Sequence, residues 1–151
     1  MHTQKSRILA VDYGMHRIGL SISDESKIIA VPLSTIKLKG TPEHAVDGLL
    51  KHIEELVNRK KYLIEEIVVG LPLKMDGTDS ETTTIVRKFA ALLQEKGGYP
   101  VKLFDERLTT VEAERMLIQA NVARKDRAMV LDSLTAIILL QCYLQSKEIT
   151  T

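Results

Sequence analysis

The 151-residue sequence is notable first for what it lacks. Its one cysteine, Cys142, excludes an internal disulfide and any cysteine-rich zinc site, and fits a reducing compartment. Cys142 falls in an apolar helical pattern and reads as core filling. Charge of one sign is also lacking. With 21 basic and 20 acidic side chains the formal net charge is +1, so any attraction to phosphate has to come from local clustering. The longest purely apolar run near the C-terminus, Ala136 to Leu140, is far short of the ~20 residues of a membrane span. Met1 to Arg7 lacks the apolar centre of a signal peptide, so a cytoplasmic protein with no membrane partner is expected. No repeat, low-complexity tract or Pro/Gly-rich linker divides the chain. A single domain over residues 1–151 is therefore expected, large enough to bury about two thirds of its unfolded surface. The histidines, His2, His16, His44 and His52, have no spacing that suggests a metal site or a catalytic dyad.

What is present begins at residue 8. Ile8, Leu9, Ala10 and Val11 form a short apolar run of the kind that makes a central strand buried on both faces, and it ends in a carboxylate, Asp12. Ionised carboxylates are rarely buried unless paired or metal-bound, so Asp12 should sit at the strand's mouth facing a cation or a donor. The plainer reading is that Asp12-Tyr13-Gly14 simply bends the chain into a hairpin.

Arg17 to Ser23 reads as a second strand and Lys27 to Ile36 as a third, joined by short turns into an antiparallel meander. Pro32 marks the third as an edge strand. Thr41-Pro42-Glu43 opens a helix with an N-cap, a proline at the first position and an acid in the first turn. Ala45, Val46, Leu49, Leu50, Ile53, Leu56 and Val57 are its apolar stripe. Ile64 to Gly70 is a strand stopped by Gly70-Leu71-Pro72. The loop Lys74 to Thr78 leads to a helix that runs to about Gln94 and ends at Gly97-Gly98, with Ile85, Val86, Phe89, Leu92 and Leu93 inward. Val101 to Asp105 is a further strand ending in acid, Asp105-Glu106. Thr109 with Glu112 is a capping box for another helix, and a last helix runs from about Asp126 to Ser146. The order β-β-β-α-β-α-β-α-α implies later strands that arrive through right-handed crossovers as parallel neighbours. In such sheets ligands bind beyond the carboxyl ends of the strands, where Asp12, the Gly70-Leu71-Pro72 loop and Asp105-Glu106 would all fall.

A third acid, Asp132, interrupts the apolar last helix on a stripe of mostly small residues. It is read either as an acid stabilised by the helix dipole, Arg124 or Arg127, or as a ligand beside Asp12 and Glu106. Three converging carboxylates repel unless cations neutralise them, and an oxygen-only set favours Mg²⁺ or Mn²⁺. Two such ions would serve in-line hydrolysis of a phosphodiester. Arg17, Lys74 and Arg107 fall near the same edge as candidate phosphate contacts, and the N–H groups of a helix opening at Thr109 and Thr110 as another. Surface bases often only solvate, and Arg107 has Asp105 or Glu112 to pair with. Arg124, Lys125 and Arg127 form a weaker candidate cluster.

Four ordered motifs carry a resemblance over nearly the whole chain. They are Asp12-Tyr13-Gly14 with Arg17-Ile18-Gly19, Gly70-Leu71-Pro72-Leu73 with Met75-Asp76-Gly77-Thr78, Asp105 through Thr110, and Asp132-Ser133-Leu134 with Ala136 and Ile138 to Gln141. Together they resemble the YqgF/RuvX family, described as Holliday junction resolvases and as nucleases maturing the precursor of 16S ribosomal RNA. The resemblance implies an α/β, ribonuclease H-like fold: a mixed five-stranded sheet of order 3-2-1-4-5, with strand 2 antiparallel, flanked by helices. It implies Asp12, Glu106 and Asp132 as metal-binding catalytic acids, and a Mg²⁺- or Mn²⁺-dependent nuclease acting on structured RNA or on branched DNA as a monomer or homodimer. Met15-His16, Lys74, Thr135 and the run Thr82 to Thr84 depart from the usual pattern, and every expected ligand stays in place. A non-catalytic RNA-binding module is the alternative from another class. An actin-like ATPase turn, suggested by Asp12-Tyr13-Gly14 with Arg17 and Gly19, needs a second such domain for which this chain has no room.

Overall fold

The computed structural model describes residues 5–14, 16–37, 40–109 and 124–149, the side chains of the last helix being described over 134–147. Strands β1 (Arg7–Tyr13) and β2 (Arg17–Ser23) form an antiparallel hairpin. β3 (Ala30–Pro32) and β4 (Ile36–Lys37) both pair antiparallel with β2. Helix α1 (Pro42–Lys60) crosses to β5 (Ile64–Leu71), and α2 (Glu81–Gly97) to β6 (Val101–Asp105). A 3₁₀ turn, Glu106–Leu108, follows β6, and helix α3 (Arg124–Ile149) ends the described chain. The sheet order is β3-β2-β1-β5-β6, with β5 parallel to both β1 and β6. That is the expected order, with one difference. The expected third strand is divided into β3 and β4: Pro32 sits at a non-hydrogen-bonded position with its nitrogen on the outer edge, the Leu33 N–H still reaches the Leu20 carbonyl at 3.0 Å, and pairing resumes at Ile36.

Alternation along the central strands sends side chains to two cores. Leu9 and Val11 of β1 and Ile67 and Val69 of β5 pack beneath α1 and α2, against Leu49, Ile53, Phe89 and Leu93. Ile8, Ala10 and Val68 face the other way, under Leu139, Leu140, Tyr143 and Leu144 of α3. β1 is therefore buried on both faces, as its unbroken apolar run requires.

The helix ends have local causes. Thr41 caps α1 and Pro42 follows it; Lys61, in the left-handed region at φ 57°, closes the other end. α2 begins with a reciprocal box in which Ser80 accepts from the Thr83 N–H and Thr83 accepts from the Ser80 N–H. Thr83 is fully buried and its hydroxyl also donates to the Pro72 carbonyl. Ile85, expected inward, is 41% exposed; Thr83 and Ala90 are buried with Val86, Phe89 and Leu93. The helix expected from Thr109 lies outside the described residues beyond Thr109 itself. No helix among the described residues is long and apolar enough to cross a membrane.

Candidate active site

Asp12 shares the strand face of Ile8 and Ala10, two residues beyond Ala10 toward the carboxyl end of β1. The hairpin and the acid are one construction. Gly14 donates its N–H to the Arg17 carbonyl at 2.9 Å, and a Cβ at Gly14 would lie 2.8 Å from that oxygen, so the turn closes only on glycine. Tyr13, on the opposite face, packs its ring 4.6 Å from that of Phe89 and anchors the strand end beside Asp12. The turn is present as read, and it places the Asp12 carboxyl at the mouth of the strand.

The second acid arrives from β6. Gly70 is paired with Phe104 and Leu71 with Asp105, so Glu106 emerges just past the carboxyl end of β5. A Cβ on Gly70 would sit 2.5 Å from Glu106 Oε1 and 3.1 Å from its Cγ. Glycine at that position opens the space through which Glu106 reaches Asp12, and the two carboxyls are hydrogen-bonded. Burial, then the Asp12 charge, that hydrogen bond and the nearby Asp105 push the Glu106 carboxyl up to about 8. Burial also raises Asp12, against the opposing effect of the hydrogen bond from Glu106. Both carboxyls are thus harder to ionise here than in water, Glu106 further so because it lies beside Asp12.

The neighbouring residues form a clamp. Asp105 accepts the Arg107 backbone N–H at 2.9 Å and its guanidinium at 2.7 Å through Nη2, which holds the Asp105 carboxyl below its usual range. Arg107 Nη1 donates to the Met75 carbonyl at 3.2 Å, tying β6 to the loop after β5. Arg107, expected among the phosphate contacts, makes these two contacts with its side chain 36% exposed. Thr109 closes the 3₁₀ turn, its N–H and hydroxyl both donating to the Glu106 carbonyl. Lys74 is exposed in the same loop, and Arg17 is exposed at the start of β2. Thr110 lies outside the described residues, as do the side chains of Asp132, Arg124, Lys125 and Arg127.

Position 132 can be located by backbone. The Ser21 hydroxyl donates to the Ala136 carbonyl at 2.7 Å, and Ser21 is paired with Ala10. Farther along α3, Tyr143 and Lys147 both donate to Glu66, which is paired with Ile8. The helix therefore runs antiparallel to β1, its N-terminal part toward the carboxyl end. Position 132 is about 6 Å, four residues, before Ala136; Asp12 is about 6.6 Å, two residues, beyond Ala10 in the same direction. Among the described residues Asp12 and Glu106 meet, and no group of three His, Cys, Asp or Glu side chains gathers to hold a metal. Gly70 was read in the sequence only as part of a turn; a glycine two residues after Val68 in an apolar strand was the available signal of a close approach.

An antiparallel hairpin leading a mixed sheet, with acids at the carboxyl ends of its strands, defines a ribonuclease H-like α/β protein. The Thermus thermophilus RuvC structure shares this fold, with a TM-score of 0.54 and 12% identity over 95% of this chain and 97% of that one. The chain belongs to the RuvX family: the family model described as "RuvX: Holliday junction resolvase" matches residues 6–146. Among its relatives, a Protochlamydia amoebophila protein named "Putative pre-16S rRNA nuclease" is 49% identical over 94% of this chain and 95% of its own. A Dictyoglomus thermophilum protein of the same name is 40% identical over 96% and 99%.

Proposed function

We propose that this protein is a cytoplasmic, divalent-cation-dependent nuclease that matures the 5′ end of the 16S ribosomal RNA precursor, with Asp12, Glu106 and Asp132 as its cation-holding acids. One observation carries the reading: Asp12 and Glu106, far apart in the chain, are brought together across a gap that glycine at position 70 leaves open. Their donor set is all oxygen, which suits Mg²⁺ or Mn²⁺. Two part-buried carboxyls this close resist full ionisation unless positive charge lies beside them. The backbone spacing along α3 supports Asp132 as the third acid. When bound, two such cations supply charge stabilisation to the attacking and leaving oxygens of an in-line displacement at phosphorus. The chain's own part is to hold the acids in register at the sheet edge, with Lys74 and Arg17 orienting phosphates and Arg107 fixing the loop that carries Lys74. The names of the relatives favour precursor rRNA. The family description favours a second substrate, four-way junction DNA.

The test is incubation of purified protein with precursor rRNA and with four-way junction DNA, with and without Mg²⁺ or Mn²⁺. D12N and E106Q should each lower cleavage by about a thousandfold or more, since cation stabilisation is worth several kcal/mol and each ~1.4 kcal/mol is tenfold. Undiminished cleavage by folded D12N would remove Asp12 from the site. Salt-sensitive binding with no cation-dependent product would mark a binding module instead.

A further inference from the structure

Met75 is 92% exposed, the most exposed large apolar side chain among the described residues, on a loop that is held still. The Lys74 N–H donates to the Thr78 carbonyl at 2.9 Å and the Gly77 N–H to the Lys74 carbonyl at 2.8 Å. Asp76 Oδ1 accepts both the N–H and the hydroxyl of Thr78, at 3.0 and 2.6 Å. Gly77 turns the chain at φ 86°, and the Arg107 guanidinium lies against the loop there. Through Arg107 the Met75 carbonyl is tied to Asp105, the residue next to Glu106. Leu108, 58% exposed, is a second apolar side chain two residues past Glu106. An apolar side chain kept in water is unfavourable, and nothing in this loop's own packing uses Met75.

Resting on the nuclease reading, we propose that Met75 is a wedge that packs against the face of a nucleobase within one or two nucleotides of the phosphate handled at Asp12 and Glu106, parting that base from its stacked neighbour. The faces of the bases are the apolar surface a nucleic acid offers, and methionine is among the side chains that insert between base steps. Lys74, exposed and adjacent to Met75, favours a polyanion over an apolar protein surface. The fixed loop sets the wedge at constant distance from the acids, so it selects where in a stem the strand is opened.

The probe is an RNA hairpin with 2-aminopurine at the base of its stem, bound by D12N so that it is held and not cut. Fluorescence should rise severalfold on binding to D12N, stay near the unbound level with the D12N/M75A double variant, and recover with D12N/M75L. In otherwise unsubstituted protein, M75A should lower kcat/KM at a stem-flanked site about tenfold more than on an unstructured strand, the scale of one lost base-stacking contact. The melting temperature of M75A should match the parent, because the side chain touches little. Cleavage and fluorescence unchanged by M75A would overturn the wedge and leave the nuclease standing. Absence of cleavage by every form, with fluorescence that still depends on Met75, would overturn the nuclease reading and keep the wedge; absence of both would overturn the two together.

Discussion

At the scale of single residues, Gly70 and Glu106 act as one unit. Replacing Gly70 by alanine puts a methyl 2.5 Å from Glu106 Oε1, and the flexible carboxyl end must swing away. Because that end can move, G70A should cost at most ~1 kcal/mol of stability. Displacement of a reacting group by about an ångström is worth on the order of a hundredfold in rate, so cleavage should fall by that factor. Unfolding curves beside rates decide it; a large loss of stability with intact cleavage would show that Glu106 does not need the gap. The raised Glu106 carboxyl makes a second prediction. In the folded chain Glu106 titrates at about 8, against an ordinary value of 4.5. Its contribution to stability is complete below pH 4.5 and is lost as pH rises through about 8, since an unfolded chain releases that proton earlier. Without divalent cations the melting temperature should therefore fall across this window, and E106Q should flatten the fall. Mg²⁺ should raise the melting temperature most at the upper end, by binding the ionised pair. A profile indifferent to E106Q would place the proton elsewhere.

At the scale of elements, α3 is fastened at its far end by a polar cluster under its apolar face. The Tyr143 hydroxyl donates to Glu66 Oε1 at 2.7 Å and the Lys147 ammonium to the same oxygen at 2.6 Å. The nearby carboxylate and burial both raise the Tyr143 hydroxyl, burial the more, so it remains a donor at any working pH. Y143F removes the buried donor and should cost about 1–3 kcal/mol in denaturant unfolding; an unchanged midpoint would mean Lys147 suffices. Elements also differ in how well the chain announces them. α1 was legible because Thr41, Pro42 and Glu43 are adjacent in sequence and act locally. The start of α2 was less so: Thr83 could be seen as a residue in a Thr-rich run, while its bond to the Pro72 carbonyl depends on how β5 ends. Ile85 was assigned inward from helical spacing, but spacing does not say where the covered arc stops. β3 and β4 were read as one strand because Pro32 signals an edge without saying that regular pairing lapses between Leu33 and Ile36.

At the scale of the whole molecule, the order of strands was implied by the family resemblance, while parallel later strands and the edge that carries the acids followed from crossovers and from the rule that ligands gather at carboxyl ends. The meeting of Asp12 with Glu106 could be guessed from both strands ending in acid. The gap at Gly70 could not, because it is a relation among three strands and no local pattern encodes it. The pairing of Arg107 with Asp105 was legible from their nearness in sequence; its bond to the Met75 carbonyl was not, because Met75 is remote in the chain. The two-sided burial of β1 also has a consequence for synthesis. Ile8, Ala10 and Val68 are covered by Leu139, Leu140, Tyr143 and Leu144, which a ribosome delivers after every strand of the sheet. A nascent polypeptide complete through β6 can therefore close one core, while the opposite strip of the sheet stays wet and sticky, a surface for chaperones until α3 leaves the exit tunnel.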